Sequence, residues 1–320
     1  MSFHKIPQNY APGFAPQHYV FINDAAATTL TARLSDARSG DAVASLALHN
    51  LWMPDIEVSA FLKRMAAAAP FEGEPTGLYT PSSRTIALSV SIGNETAPER
   101  IFLPATQATQ AGEVLTSLPP MRLIAPDESD EVSINCRTPC SALLTVTLNG
   151  GRAEYAYNIA GQGVVLFRLD AGEFPGAESF DLTVTAAGAD TILHYEVAEA
   201  PVGGRRLAWL NAAGGIDRYT FPLVEECRYE IERRRLRLET SGHTQSEAVA
   251  EQRLSLGSAY EPAAVLDALA QLAAAPAVWA ATDDGWTEVD VVSDTLRIEG
   301  RGRLQHLTLE IRPRQRGGRL

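Results

Sequence analysis

Ser179-Phe-Asp-Leu-Thr-Val-Thr185 alternates apolar and polar residues along its whole length. A strand turns successive side chains to opposite faces, so Phe180, Leu182 and Val184 share one face and Ser179, Asp181, Thr183 and Thr185 the other. The run therefore predicts a strand with one buried and one wet side. Six similar runs accompany it, at 121–124, 131–135, 142–148, 153–159, 163–169 and 191–197. Turn residues separate them at Asn149-Gly150-Gly151, Gly161-Gln-Gly163, Asp170-Ala-Gly172 and Gly188-Ala-Asp190. Asn-Gly is a strong hairpin signal, because the favoured two-residue turn needs positive φ at both positions. Seven short strands at spacings of about 8–12 residues predict an antiparallel β-sandwich over 118–200.

Upstream, residues 1–117 read as a β-rich domain. Strand-like runs occur at 18–22, 30–34, 43–48, 85–92 and 99–103. Residues 53–65 carry Ile56, Phe61, Leu62 and Met65 at helical spacing, and Asp55 is placed to cap that helix. A Pro/Gly-rich stretch, 70–81, reads as a loop, and Leu118-Pro-Pro120 marks a boundary. Downstream, Ala200-Pro201 and Gly203-Gly204 open a third unit, 201–320. It begins with a hairpin whose loop is 212–216. Asn211 then faces Asp217, Trp209 faces Tyr219, and Leu207 faces Phe221, with aromatic rings stacked across the pair. Gly214 and Gly215 supply the freedom the turn needs. Residues 228–239 alternate Arg and Glu against Ile231, Leu236 and Leu238, the mark of a surface strand pair. Residues 262–275 predict a helix with Val265, Leu266, Leu269 and Leu272 on one face and Pro262 at its start. Strands follow at 278–281, 288–292, 295–298 and 304–311. The expected fold is mainly β: serial antiparallel sandwich-like domains, the last unit α+β with one helix.

The charge pattern narrows the partners. The 320-residue chain has 27 Lys+Arg against 39 Asp+Glu, a net charge of −12. Residues 1–200 hold 11 cations and 22 acids, and residues 201–320 hold 16 and 17. An acidic front repels phosphate backbones, so no nucleic acid is expected as a partner. Arg301, Arg303, Arg312, Arg314, Arg316 and Arg319 cluster at the end, where a solvated tail is the simpler reading. No apolar run nears the roughly 20 residues a membrane span needs, so no membrane insertion is expected. The start, Met1-Ser-Phe-His-Lys-Ile-Pro-Gln-Asn-Tyr10, lacks the apolar core of a secretory signal.

Catalytic and ligand chemistry is not apparent. There is no G-x-G-x-x-G, no phosphate-binding G-x-x-x-x-G-K-[ST], no G-x-S-x-G and no H-E-x-x-H. Cys136-Arg-Thr-Pro-Cys140 has one residue too many for a redox or zinc-knuckle pair, so Cys136, Cys140 and Cys227 read as free thiols. Asp127-Glu-Ser-Asp-Glu131 lacks the spacing of a calcium loop and reads as a solvated turn. Asp283-Asp284-Gly285 reads as a hairpin turn. The six histidines stand singly, and Trp52, Trp209, Trp279 and Trp286 sit in apolar runs suited to core or subunit contacts rather than to a sugar platform. No catalytic residue, no metal site and no cofactor is expected.

Trp209-Leu-Asn-Ala-Ala-Gly-Gly-Ile-Asp-Arg-Tyr-Thr-Phe221 resembles a W-L-N-x-x-G-G-x-D-x-Y-x-F-like hairpin of structural proteins from tail modules of Bacteroidetes phages and prophages. The resemblance is best over 205–320, where the closing helix and strands are also similar. It implies a non-enzymatic virion component of the tail or tail tip, found in the particle or, before assembly, in the cytoplasm. It implies contacts with other tail proteins or with copies of itself. Trp209, Asn211, Gly214, Gly215, Asp217, Tyr219 and Phe221 would form its interaction motif, either docking on a neighbour or stabilising their own domain. The alternative is a β-sandwich that binds a cell-surface glycan through exposed aromatic residues.

Overall fold

The period-two runs fold as strands throughout a computed structural model that describes residues 2–24, 29–160, 163–186, 188–238, 242–301 and 304–314. Strand accounts for 56% and helix for 9%. Two compact units emerge. One comprises Met1–Val197 together with Leu210–Asp217, and the other Ala198–Trp209 and Arg218–Leu320.

The run that decides the fold lies in Ala177–Ala186, where Phe180, Leu182 and Val184 are buried and the alternate residues are not. Its sheet is ordered Met121–Ile124, Ala189–Val197, Ala177–Ala186, Cys140–Leu148, Gly151–Ile159. A second sheet sets Ser129–Cys136 beside Gly163–Asp170. Ile134, Val165 and Phe167 of the second sheet share one core with Leu144, Val146, Leu182 and Leu193 of the first. Each such side chain contributes about 1.5–3 kcal/mol on burial. Met121–Ile124 runs parallel to Ala189–Val197, departing from the all-antiparallel expectation. It is not joined to that neighbour by a hairpin, so nothing forces the opposite direction.

Of 1–117 and 118–200, expected as separate domains, all but 198–200 lie in one unit. Gly77–Tyr79, inside the stretch read as a loop, is a strand that completes the smaller sheet, with Leu78 opposite Phe167. Arg84 and Glu131, both buried, pair at 2.6 Å, and Glu131 also accepts the Phe71 N–H at 2.7 Å.

Four expectations are corrected. First, the helix is only Ser59–Met65. Asp55–Glu57 is a strand paired with His18–Val20, because Ile56 and Val58 are buried while Asp55 and Glu57 are not, a period of two. Glu57, not Asp55, receives the Ser59 N–H. Second, Cys136 and Cys140 form a disulfide. Cys136 ends a strand of one sheet and Cys140 begins a strand of the other. Their Cα atoms lie 6.4 Å apart, within the span a disulfide bridges. Third, Asp130 and Glu131 are buried strand residues, and Asp130 pairs with Arg122 at 3.1 Å. Fourth, Arg312 and Arg314 are not a loose tail. Arg312 lies 3.2 Å from Glu251, and Arg314 3.0 Å from Asp290. Arg303, Arg316 and Arg319 lie outside the described residues, as does the Arg301 side chain.

The sheet of the last third is ordered Ile216–Phe221, Arg205–Leu210, Val278–Thr282, Gly285–Val291, Leu304–Pro313, Gly242–Gly257, Leu223–Leu238. Helix Ala263–Ala270 continues as a tighter turn, Gln271–Ala274, and buries Val265, Leu266, Leu269 and Leu272. Leu223–Leu238 and Gly242–Gly257 form a hairpin with 16 residues in each strand, about 50 Å long at 3.3 Å per residue. Among the described residues, Leu254–Gly257 alone continues into the sheet, against Thr308–Ile311. The strand pair expected within 228–239 is corrected: 228–238 belong to one strand and its partner is Gly242–Gly257, whose residues 242–253 contain few of the bulky apolar residues that mark a strand.

Candidate functional site

The shorter hairpin holds every residue of the motif. Its strands are Arg205–Leu210 and Ile216–Phe221, close to the expected loop of 212–216. Asn211 folds the turn around its own side chain. Its Oδ1 accepts the N–H groups of Ala213 at 2.9 Å and Gly215 at 3.2 Å, and its backbone N–H donates to Gly215 O at 2.9 Å. Its Nδ2 donates to Asp217 Oδ2 at 2.9 Å, so the two residues meet as expected. That hydrogen-bonding pattern suits Asn, whose short amide both donates and accepts within one turn.

The tip is buried, not presented. Asn211 and Asp217 are 2% and 1% exposed. Asp217 accepts from Ser117 N–H at 2.8 Å and Ser117 Oγ at 2.6 Å, and Thr116 Oγ1 donates to its other oxygen. Asn211 Nδ2 also donates to Leu115 O at 3.1 Å. Ala212 O accepts the N–H groups of Thr106 and Gln107, each at 3.0 Å. Gly214, at φ +91°, sits over Pro104 and Ala105. A Cβ on Gly215 would stand 1.9 Å from Leu115 O, so only glycine admits this approach. Leu115 belongs to the same unit through its hydrogen bond to Ser133 O at 2.8 Å.

A wider polar network continues from this knot. Arg122 donates to Thr116 Oγ1 at 2.6 Å and to Tyr195 Oη at 3.4 Å. Burial works against its charge, but Tyr195, Asp130 and Asp217 outweigh burial and hold its pKa above the ordinary arginine value. Charge-assisted bonds of this kind are the stronger class, and a buried network of them favours a single packing arrangement.

The aromatic members behave differently from the expected stack. Trp209 and Phe221 are fully buried. The ring contact is between Tyr219 and Phe221, two residues apart on one strand, at 5.0 Å, and Tyr219 Oη donates to Glu261 at 2.9 Å. Leu115, Thr116, Ser117 and Arg122, which complete the knot, lie outside the motif. No local pattern marks the first three, since Asn211 and Asp217 lie about a hundred residues away.

Elsewhere several titratable groups pair with one another. His194 lies 2.7 Å from Asp181 and 3.4 Å from Glu196 on an open sheet face. The hydrogen bond to Asp181 holds its pKa above the usual histidine value. A cavity of about 310 Å³ includes Pro276, Asp290, Arg312 and Arg314 in its lining, where Asp290 already pairs with both arginines. No group of three metal-ligating residues is present among the described residues, and no helix among them is long and apolar enough to cross a membrane. Trp279 is buried, Trp286 lies under the Arg218 guanidinium at 5.1 Å, and Trp52 is exposed. No protein-family model and no curated protein matches the chain.

Proposed function

We propose that this chain is a non-enzymatic structural component of a phage or prophage-derived particle, of the tail or tail tip, acting through protein–protein contacts. The observation that carries the contact role is the long hairpin, Leu223–Leu238 with Gly242–Gly257. Its outer strand has no neighbour on its far side among the described residues, and Tyr229 and Ile231 on it are 63% and 51% exposed. An isolated two-stranded ribbon is marginal in water, so such an arm is suited to being completed by another protein. The tail assignment draws on the likeness of 209–221 to tail-module proteins. The non-enzymatic reading draws on charged groups spent in internal pairs, such as Arg84 with Glu131 and Arg122 with Asp130.

Mass spectrometry of purified particles tests the assignment. The chain is expected at a fixed stoichiometry with the other tail proteins, and its absence from particles overturns the reading. One observation favours glycan binding as a second reading. Leu51, Trp52 and Met53 are 45%, 59% and 54% exposed, on a turn held by Asn23, whose Nδ2 donates to Leu51 O at 3.2 Å. Glycan-array binding lost in Trp52→Ala would establish it, and an array without signal would discard it.

A further inference from the structure

Leu223–Leu238 reads Leu-Val-Glu-Glu-Cys-Arg-Tyr-Glu-Ile-Glu-Arg-Arg-Arg-Leu-Arg-Leu. Acids dominate its first half and arginines its second. Against Gly242–Gly257 its register is regular from Glu226 to Arg234 and irregular just outside both ends. That regular stretch is centred on Glu230. Its far edge carries backbone N–H and C=O groups without a strand neighbour among the described residues, and an edge of this length is a template for another strand.

We propose that this edge pairs antiparallel with the same edge of a second copy of the chain, about a two-fold axis at Glu230. In that register Glu226 falls opposite Arg234 and Arg228 opposite Glu232, each pair occurring twice by symmetry. Tyr229 falls opposite Ile231. Opposite charges and aromatic–aliphatic pairs across strands are the favourable combinations. Glu230 meets its own copy, and each of the two is neutralised by Arg253 of its own chain, 2.6 Å away. Moving the axis to Ile231 sets Arg228 against Arg234 and Glu230 against Glu232. Moving it to Tyr229 sets Glu226 against Glu232. Of these three registers, the one centred on Glu230 alone sets no like charges opposite each other apart from Glu230 itself. A hydrogen-bonded four-strand ribbon also relieves the weakness of a lone hairpin.

The inference deepens the contact role proposed above and rests on it for its setting, but the two fail separately: self-pairing is read on the purified chain, particle membership on particles. Sedimentation equilibrium of the full chain is expected to show a dimer. Spin labels on Cys227, which is free and exposed, should lie about 20 Å apart, since six residues of strand separate the two copies' labels in this register. Glu226→Arg and Arg234→Glu should each weaken the dimer about tenfold or more, because two attractive pairs become repulsive. An equimolar mixture of the two variants should restore it, since every altered position then meets its complement. A monomeric wild-type chain, a label distance far from 20 Å, or variants that dimerise unchanged and gain nothing on mixing would each overturn the proposal. The wild-type label measurement decides even if a variant fails to fold.

Discussion

Two hairpins follow one another in the last third of the chain and have opposite fates. The first, around 205–221, is marked by Asn211, two glycines and Asp217, and its tip is buried with its polar groups bonded. The second, Leu223–Leu238 with Gly242–Gly257, is charged and long, with Tyr229 and Ile231 exposed and no strand neighbour on its outer edge among the described residues. The conspicuous motif is therefore internal. Rare residues at fixed spacing record a tight steric and hydrogen-bonding fit within the chain, whereas the exposed Tyr229 and Ile231 stand in a less distinctive run of Arg and Glu. A conspicuous motif need not be the part that touches a partner.

Substitutions can test that contrast. The largest effect is expected for Gly215→Ala, because the added Cβ meets the Leu115 carbonyl at 1.9 Å. Overpacking against backbone costs about 3 kcal/mol or more, and urea denaturation should show it. A loss under about 1 kcal/mol would mean the tip sits less tightly than described. Asp217→Asn keeps the shape but removes the charge that Ser117, Thr116 and Asn211 donate to. A loss of about 2 kcal/mol is expected from weakened bonds and a misplaced donor, read in the same denaturation series. Tyr229→Ser on the long hairpin should change monomer stability by under about 0.5 kcal/mol while weakening self-association. A large loss of folding stability there would erase the distinction between the two hairpins.

Much of this fold is legible from period-two alternation. Phe180, Leu182 and Val184 announce their burial, and Asn149-Gly150 announces its turn, with both residues at positive φ. Asn211 and Asp217 are also legible as partners, because they flank a short loop symmetrically. What is not legible depends on distant residues. Gly77–Tyr79 is a strand because Gly163–Asp170 has an edge to receive it, not because three residues prefer that state. Asp130 and Glu131 look like solvent-facing acids until Arg122 and Arg84 arrive from elsewhere in the chain. The Cys136–Cys140 pair follows from where two sheets start and end, which no cysteine spacing encodes.

The first compact unit runs to Val197 and then needs Leu210–Asp217 as well. During synthesis it stays incomplete until the ribosome has made a short excursion and returned with that piece. A fragment ending at 197 leaves Leu115 O, Thr116 and Ser117 without the groups that cap them, so proteolysis and aggregation should be worse for it than for one ending beyond 217. Nascent chains stalled on either side of that point should differ in protease resistance, although they share all of residues 1–197.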